Sequence, residues 1–137
     1  MNRSPIEAFI ARCLGAICSG NVAESEHLTA PQTLDVLSGR QVTCVAFQER
    51  ARAVFAAFER LEGRVDELLV DGDRIAWRWT LNGRQRAPFL GEANTAQPIT
   101  LQGINLQRLE AGVVIEHFTL PDVPGALSQL RRGSSRV

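Results

Sequence analysis

The chain has 137 residues, 45% of them apolar and 22% charged, with a formal net charge of zero. That describes one soluble domain large enough to bury a core, with no charge to steer it toward nucleic acid or an acidic membrane surface. All fifteen basic residues are arginine and there is no tyrosine, which excludes Schiff-base chemistry, a phosphate-loop lysine and a phenolic enolate donor.

The first predicted element begins at SPIE, residues 4–7. Ser4 can cap, Pro5 suits the first turn and Glu7 completes a capping box. Ile6, Phe9, Ile10, Cys13, Leu14 and Ile17 then follow helical spacing to Ser19, where SGN ends the helix. Arg12 interrupts the apolar run, so this is not a signal peptide, and no stretch is long and apolar enough to span a bilayer. A cytoplasmic protein is expected. Cys13, Cys18 and Cys44 are odd in number and lack metal-ligand spacing, so they read as buried thiols. His27 and His117 are the only histidines, and no metal site is expected.

Residues 21–42 are polar and mixed, with a short helix expected at TLDVL after Pro31. A second long helix is expected from Thr43 to Leu61. Phe47, Ala51, Val54, Phe55, Phe58 and Leu61 mark its apolar face, and Gly63 ends it. The period then changes from helical to alternating. RVDELLV (64–70) reads as a strand, DGD (71–73) as a tight turn and RIAWRWTLN (74–82) as the next strand, with Ile75, Trp77, Trp79 and Leu81 on one face. A Gly- and Pro-rich connection containing PFLG (88–91) leads to a strand over 98–110. AG (111–112) turns it into a fourth strand over 113–120, and a short helix follows from Val123 to Leu130. Arg131, Arg132 and Arg136 fall in a Gly/Ser-rich tail, so the domain is taken as 1–130 and the tail as 131–137. Helices first and antiparallel strands after argue for an α+β domain whose curved sheet wraps around the helices and leaves a concave pocket.

These segments carry a resemblance. GRVDELLVDGDRIAWRWTLNG, then PFLG, then GINLQRLEAGVVIEHFTLPDVPGALSQL together resemble the SnoaL-like polyketide cyclase or ester-cyclase family of the nuclear-transport-factor-2-like superfamily. The likeness runs from about Arg50 to Leu130. It implies a cone-shaped α+β barrel, a homodimer formed through the sheet, a small apolar molecule bound between helices and sheet, and no metal or organic cofactor. It also implies a catalytic aspartate just after the E-H-aromatic strand, a general acid/base that removes a proton alpha to a carbonyl before an aldol ring closure. By motif position that residue is Asp122. The sequence departs from the family's pattern at GRQRA (83–87) and ANTAQP (93–98), where many relatives carry a histidine and a P-T-G element.

The AG turn allows the site's register to be drawn. If Glu110 pairs with Val113, then Asn105 opposes Phe118, Gln107 opposes Glu116 and Leu101 opposes Asp122. Asp122 would then share one face with Glu116, Phe118, Asn105 and Leu101, Trp79 would add a wall, and His117 would point to the opposite face. On that face Asn105 can donate to a substrate carbonyl or enolate. Each residue also has a structural reading. Asp122 precedes Val-Pro-Gly and suits a helix N-cap; Glu116 suits an ion pair with Arg78 or Arg108; His117 suits a satisfied sheet or interface position. Three functions fit: an acid/base enzyme on a small apolar carbonyl compound, a non-catalytic pocket domain, or an epoxide hydrolase or dehydratase on the same scaffold.

Overall fold

The structure, a computed structural model, describes residues 4–134. Arg136 lies outside the described residues, as do the side chains of Cys44, Phe47, Ala51 and Phe55. The elements run α1 (Ser4–Ser19), a 3-10 turn (Val22–Glu24), α2 (Ser25–Leu28), β1 (Thr29–Asp35), β2 (Arg40–Thr43), α3 (Cys44–Ala57), β3 (Phe58–Asp71), β4 (Arg74–Gln85), β5 (Pro98–Glu110), β6 (Val113–Pro121) and α4 (Val123–Ser134). The six strands form one curved, open sheet in the order β2-β1-β6-β5-β4-β3. Neighbours are antiparallel except β1 and β6, which run parallel.

The alternation of β4 sets the core. Ile75, Trp77, Trp79 and Leu81 all face inward and are buried. They form one core with Phe9, Ile10 and Leu14 of α1, Ile99 and Leu101 of β5, and Ala126 and Leu130 of α4. Each large side chain among them is worth roughly 1.5–3 kcal/mol in burial. Gly63 permits a close approach of α1 to the sheet: a Cβ there would lie 3.0 Å from Leu81 and 3.2 Å from Leu14.

Four expectations are corrected. TLDVL is not a helix. Thr33–Asp35 lie in β1, which pairs with β2 on one side and β6 on the other, and five residues are too few to hold a helix against two ladders. The helix expected to reach Leu61 stops at Ala57. Phe58 pairs with Gln85 and starts a strand, and Arg60, at φ 54°, takes up the register shift between Glu59 and Glu62. Gly63 therefore sits inside β3 and ends no helix. Residues 131–134 continue α4, and Arg131 Nε donates to Glu92 Oε1 at 2.7 Å.

The fourth correction moves the site. Ala111 and Gly112, at φ 51° and 80°, make the two-residue turn, and Glu110 pairs with Val113 and Leu109 with Val114 as expected. Arg108 then pairs with Glu116, which leaves Ile115 as the extra residue of a bulge. Beyond it every partner is displaced by one. Asn105 faces Thr119, Gln107 faces His117 and Leu106 faces Phe118. Because the side-chain period is 2, that single residue exchanges the two faces of the rest of β6.

Candidate functional site

A cavity of about 280 Å³ lies between the helices and the inner face of the sheet. Leu14 and Ile17 of α1, Leu28 of α2, Val54 of α3, Phe89 and Leu101 supply apolar wall. Cys13 also lines it; burial pushes its thiol up to about 12, so it remains a neutral, weakly polar surface. The Phe89 wall is held from behind. The buried Gln85 amide donates to the carbonyls of Ala87 (3.1 Å) and Ala93 (3.0 Å), and its oxygen accepts from Thr95 N at 3.2 Å. Phe89 also packs on Phe58 with ring centroids 4.9 Å apart.

The polar groups of the cavity form two parallel rungs across β4, β5 and β6. In the first, Trp79 Nε1 donates to Asn105 Oδ1 at 3.1 Å, and Thr119 Oγ1 donates to the same oxygen at 2.6 Å. In the second, Trp77 Nε1 donates to Gln107 Oε1 at 2.9 Å, and Gln107 Nε2 lies 3.0 Å from His117 Nδ1. Each indole is buried by β4's alternation and needs an acceptor for its N–H. Asn105 and Gln107, two residues apart on β5, provide one each. An indole can only donate, so it decides which way each amide faces. With Asn105 Oδ1 taken by both donors, the Nδ2 amino group is turned away from them, and no hydrogen-bond acceptor meets it among the described residues.

Of the residues expected in the site, Asn105, Leu101 and Trp79 line the cavity. Glu116, Phe118 and Asp122 do not, because the Ile115 bulge turns them outward. Glu116 accepts from Arg108 Nη2 at 3.0 Å and from Arg74 Nη1 at 3.4 Å on the outer face. The Arg108 hydrogen bond holds its carboxyl below the usual value, with the nearby Arg108 and Arg74 charges acting the same way. Arg78, the other partner expected for Glu116, instead lies 3.7 Å from each of Asp66 and Glu67. Phe118 sits opposite Leu106 on the same outer face. Asp122 is exposed, and its Oδ1 accepts from Gly125 N at 3.0 Å. It is the N-cap of α4, the structural alternative weighed for it.

His117, expected on the opposite face, comes inward together with Thr119, and Gln107 stays on the cavity side with Asn105. Asp35 of β1, buried and in register with His117, joins this side of the sheet, and Ser38 Oγ donates to its Oδ2 at 3.0 Å. The alternation of β4 was the available signal for the rungs, since two inward tryptophans require two inward acceptors. Among the described residues no group of three or more His, Cys, Asp or Glu could hold a metal ion, and no helix is long and apolar enough to cross a membrane.

Comparison with known proteins agrees with the motif order. No curated protein matches the sequence significantly. Among solved structures, TsrD from Streptomyces laurentii superposes with a TM-score of 0.84 at 23% identity, over 95% of this chain and 97% of that one. IdmH from Streptomyces antibioticus gives 0.78 at 23% identity, over 93% and 99%. A protein from Catenulispora acidiphila described as having a ketosteroid isomerase-like fold gives 0.68 at 15% identity, over 90% and 92%. At these identities the likeness establishes the fold. The family model for SnoaL-like polyketide cyclases matches residues 9–130, nearly the whole described chain, and the protein thus belongs to the SnoaL-like polyketide cyclase family.

Proposed function

We propose that this protein is a cofactor-independent cyclase-type enzyme that holds a neutral, largely apolar carbonyl compound in the inner cavity. The observation that carries this reading is the Asn105 amide. Trp79 and Thr119 both occupy its oxygen, which leaves a preorientated amino group at the wall of an apolar cavity. A donor held there costs no reorganisation when charge develops on a carbonyl oxygen, and low polarity strengthens its effect. Transfer of the proton alpha to that carbonyl to solvent hydroxide would give an enolate stabilised by Asn105; attack of the enolate carbon on a second carbonyl of the same molecule would close the ring as an alkoxide, which takes a proton from water and regenerates hydroxide. No Asp or Glu is among the described lining residues, and enolate stabilisation is the role we assign to the Asn105 amino group. The outer face, with Ile104, Leu106 and Leu120 exposed, is the surface through which we propose a homodimer forms.

The test is turnover of a linear aromatic poly-β-ketone ester, followed by absorbance. Asn105→Ala is expected to lower kcat by about 10²-fold, the scale of losing one oxyanion donor, with the fold retained by circular dichroism. Turnover at the wild-type rate would remove Asn105 from the mechanism. That the described lining residues include no carboxylate also favours a second reading, a non-catalytic binding pocket. Saturable quenching of Trp77 and Trp79 fluorescence by the same ester, with the ester recovered unchanged, would establish that one instead.

A further inference from the structure

The second rung has a consequence for the only histidine of the cavity. Gln107 Oε1 accepts from the Trp77 indole at 2.9 Å. Flipping the amide would set its NH2 against the indole N–H, two donors face to face, so the flip is excluded. The group 3.0 Å from His117 Nδ1 is therefore the Gln107 amino group, which can only donate. Nδ1 must then accept, and a ring nitrogen that accepts carries no proton. A proton on Nδ1, in the other tautomer or in the imidazolium ion, would oppose two donors and break the rung.

We propose that Gln107, orientated by Trp77, is a positioning residue that fixes His117 as the neutral tautomer protonated on Nε2. In this tautomer Nε2 carries the ring's proton and is a donor, not a base. A neutral imidazole donor of this kind can polarise a carbonyl, the same chemistry that the Asn105 amino group offers. Among the described residues, Asp35 of β1 is the register partner of His117, and the Glu116–Arg108 pair lies on the opposite face of the sheet. The proposal uses the cavity's catalytic reading only for its kinetic effect, because the tautomer belongs to the protein without substrate.

Long-range proton–nitrogen NMR on ring-labelled protein reads the tautomer directly. With two histidines in the chain, His27→Gln leaves one set of signals. A pyridine-like Nδ1 and a pyrrole-like Nε2 are expected, with the tautomer favoured by about tenfold, the worth of one hydrogen bond. Gln107→Glu should reverse it: the carboxylate still accepts from Trp77, now also accepts from Nδ1, and so moves the proton there. The same variant should lower kcat by about 10²-fold with little change in KM. A pyrrole-like Nδ1 or a fast-averaged mixture in the wild-type chain would overturn the proposal, whether or not any variant folds. If the NMR pattern is as expected but His117→Gln turns over normally, the catalytic reading of His117 fails while its tautomer stands.

Discussion

Gly103 lies against Trp79, its register partner on β4. A Cβ built on Gly103 would approach Trp79 Cε2, the carbon beside the indole nitrogen, to 2.8 Å. The ring is buried and cannot swing aside, so Gly103→Ala must displace it, and overpacking of this kind costs about 1–3 kcal/mol. The displaced indole would also release the Asn105 amide. Gly103→Ala is therefore expected to lower the thermal midpoint and reduce turnover together, whereas a change that only destabilised the fold would leave turnover per folded molecule intact. Normal stability and normal activity would show that Trp79 does not depend on this glycine. Single residues also decided how much of the site was legible. The DGD and AG turns could be read because turn chemistry is local. The bulge at Ile115 could not, since nothing in VVIEHF marks which residue is extra. That one residue turns His117 inward and Glu116, Phe118 and Asp122 outward, because alternation holds on either side of an irregularity but the pairing does not carry across it.

Among the elements, α4 tests what Asp122 does. Its carboxylate caps the helix through Gly125 N, and the backbone of Asp122 itself is tied to Gln102 O at 2.7 Å. Asp122→Ala should cost about 1 kcal/mol of stability, and Asp122→Asn almost none, because asparagine caps as well as aspartate. Turnover of Asp122→Asn is expected near the wild-type rate. A loss comparable to that of Asn105→Ala, with α4 intact, would restore Asp122 as the acid/base that the motif position implies. The elements also show why segments differed in legibility. Strands β4 and β5 carry long alternation and were read nearly to their ends. TLDVL is short, and only pairing with β2 and β6 makes its first three residues, Thr33–Asp35, part of a strand. Val54, Phe58 and Leu61 continue a helical spacing across the α3–β3 boundary, where pairing of Phe58 with Gln85 overrides the local pattern.

Two ionic clusters bind neighbouring strands on the outer face. Asp66 accepts from Thr80 Oγ1 at 2.5 Å and from Arg64 Nε at 2.8 Å, and those hydrogen bonds, Thr80's first, hold its carboxyl below the usual value. Glu116 is held down likewise by Arg108. Both groups keep their charge to lower pH in the folded chain than in the unfolded one. Their contribution is thus complete above the ordinary carboxylate range and is lost as pH falls through the depressed folded values. Urea midpoints should be flat through neutral pH and fall on the acid side. Asp66→Asn and Glu116→Gln should each flatten that fall. An unchanged acid limb in both variants would assign the pH dependence to other carboxylates.

For the molecule as a whole, the outer face poses the remaining question. Ile104 and Leu120 are register partners on β5 and β6, exposed by 42% and 54%, and Leu106, exposed by 45%, lies opposite Phe118. This apolar strip runs beside the Arg108–Glu116 pair, so a second copy set across it would bury both kinds of surface. The proposed homodimer should sediment at twice the 15.0 kDa of one chain. Ile104→Glu and Leu120→Glu, which change outward positions only, should each shift the equilibrium toward monomer while leaving the inner cavity and its tryptophan fluorescence unchanged. The Glu116 charge adds a directional expectation. Above the ordinary carboxylate range it neutralises Arg108, and the pair can be covered as a neutral unit. Once acid protonates Glu116, covering the face strands an uncompensated guanidinium, which is costly in a desolvated interface. Dissociation should therefore set in as pH falls, and Glu116→Gln should weaken the dimer already at neutral pH. A wild-type chain that sediments as a monomer at micromolar concentration and neutral pH would show that this face is not the dimer surface.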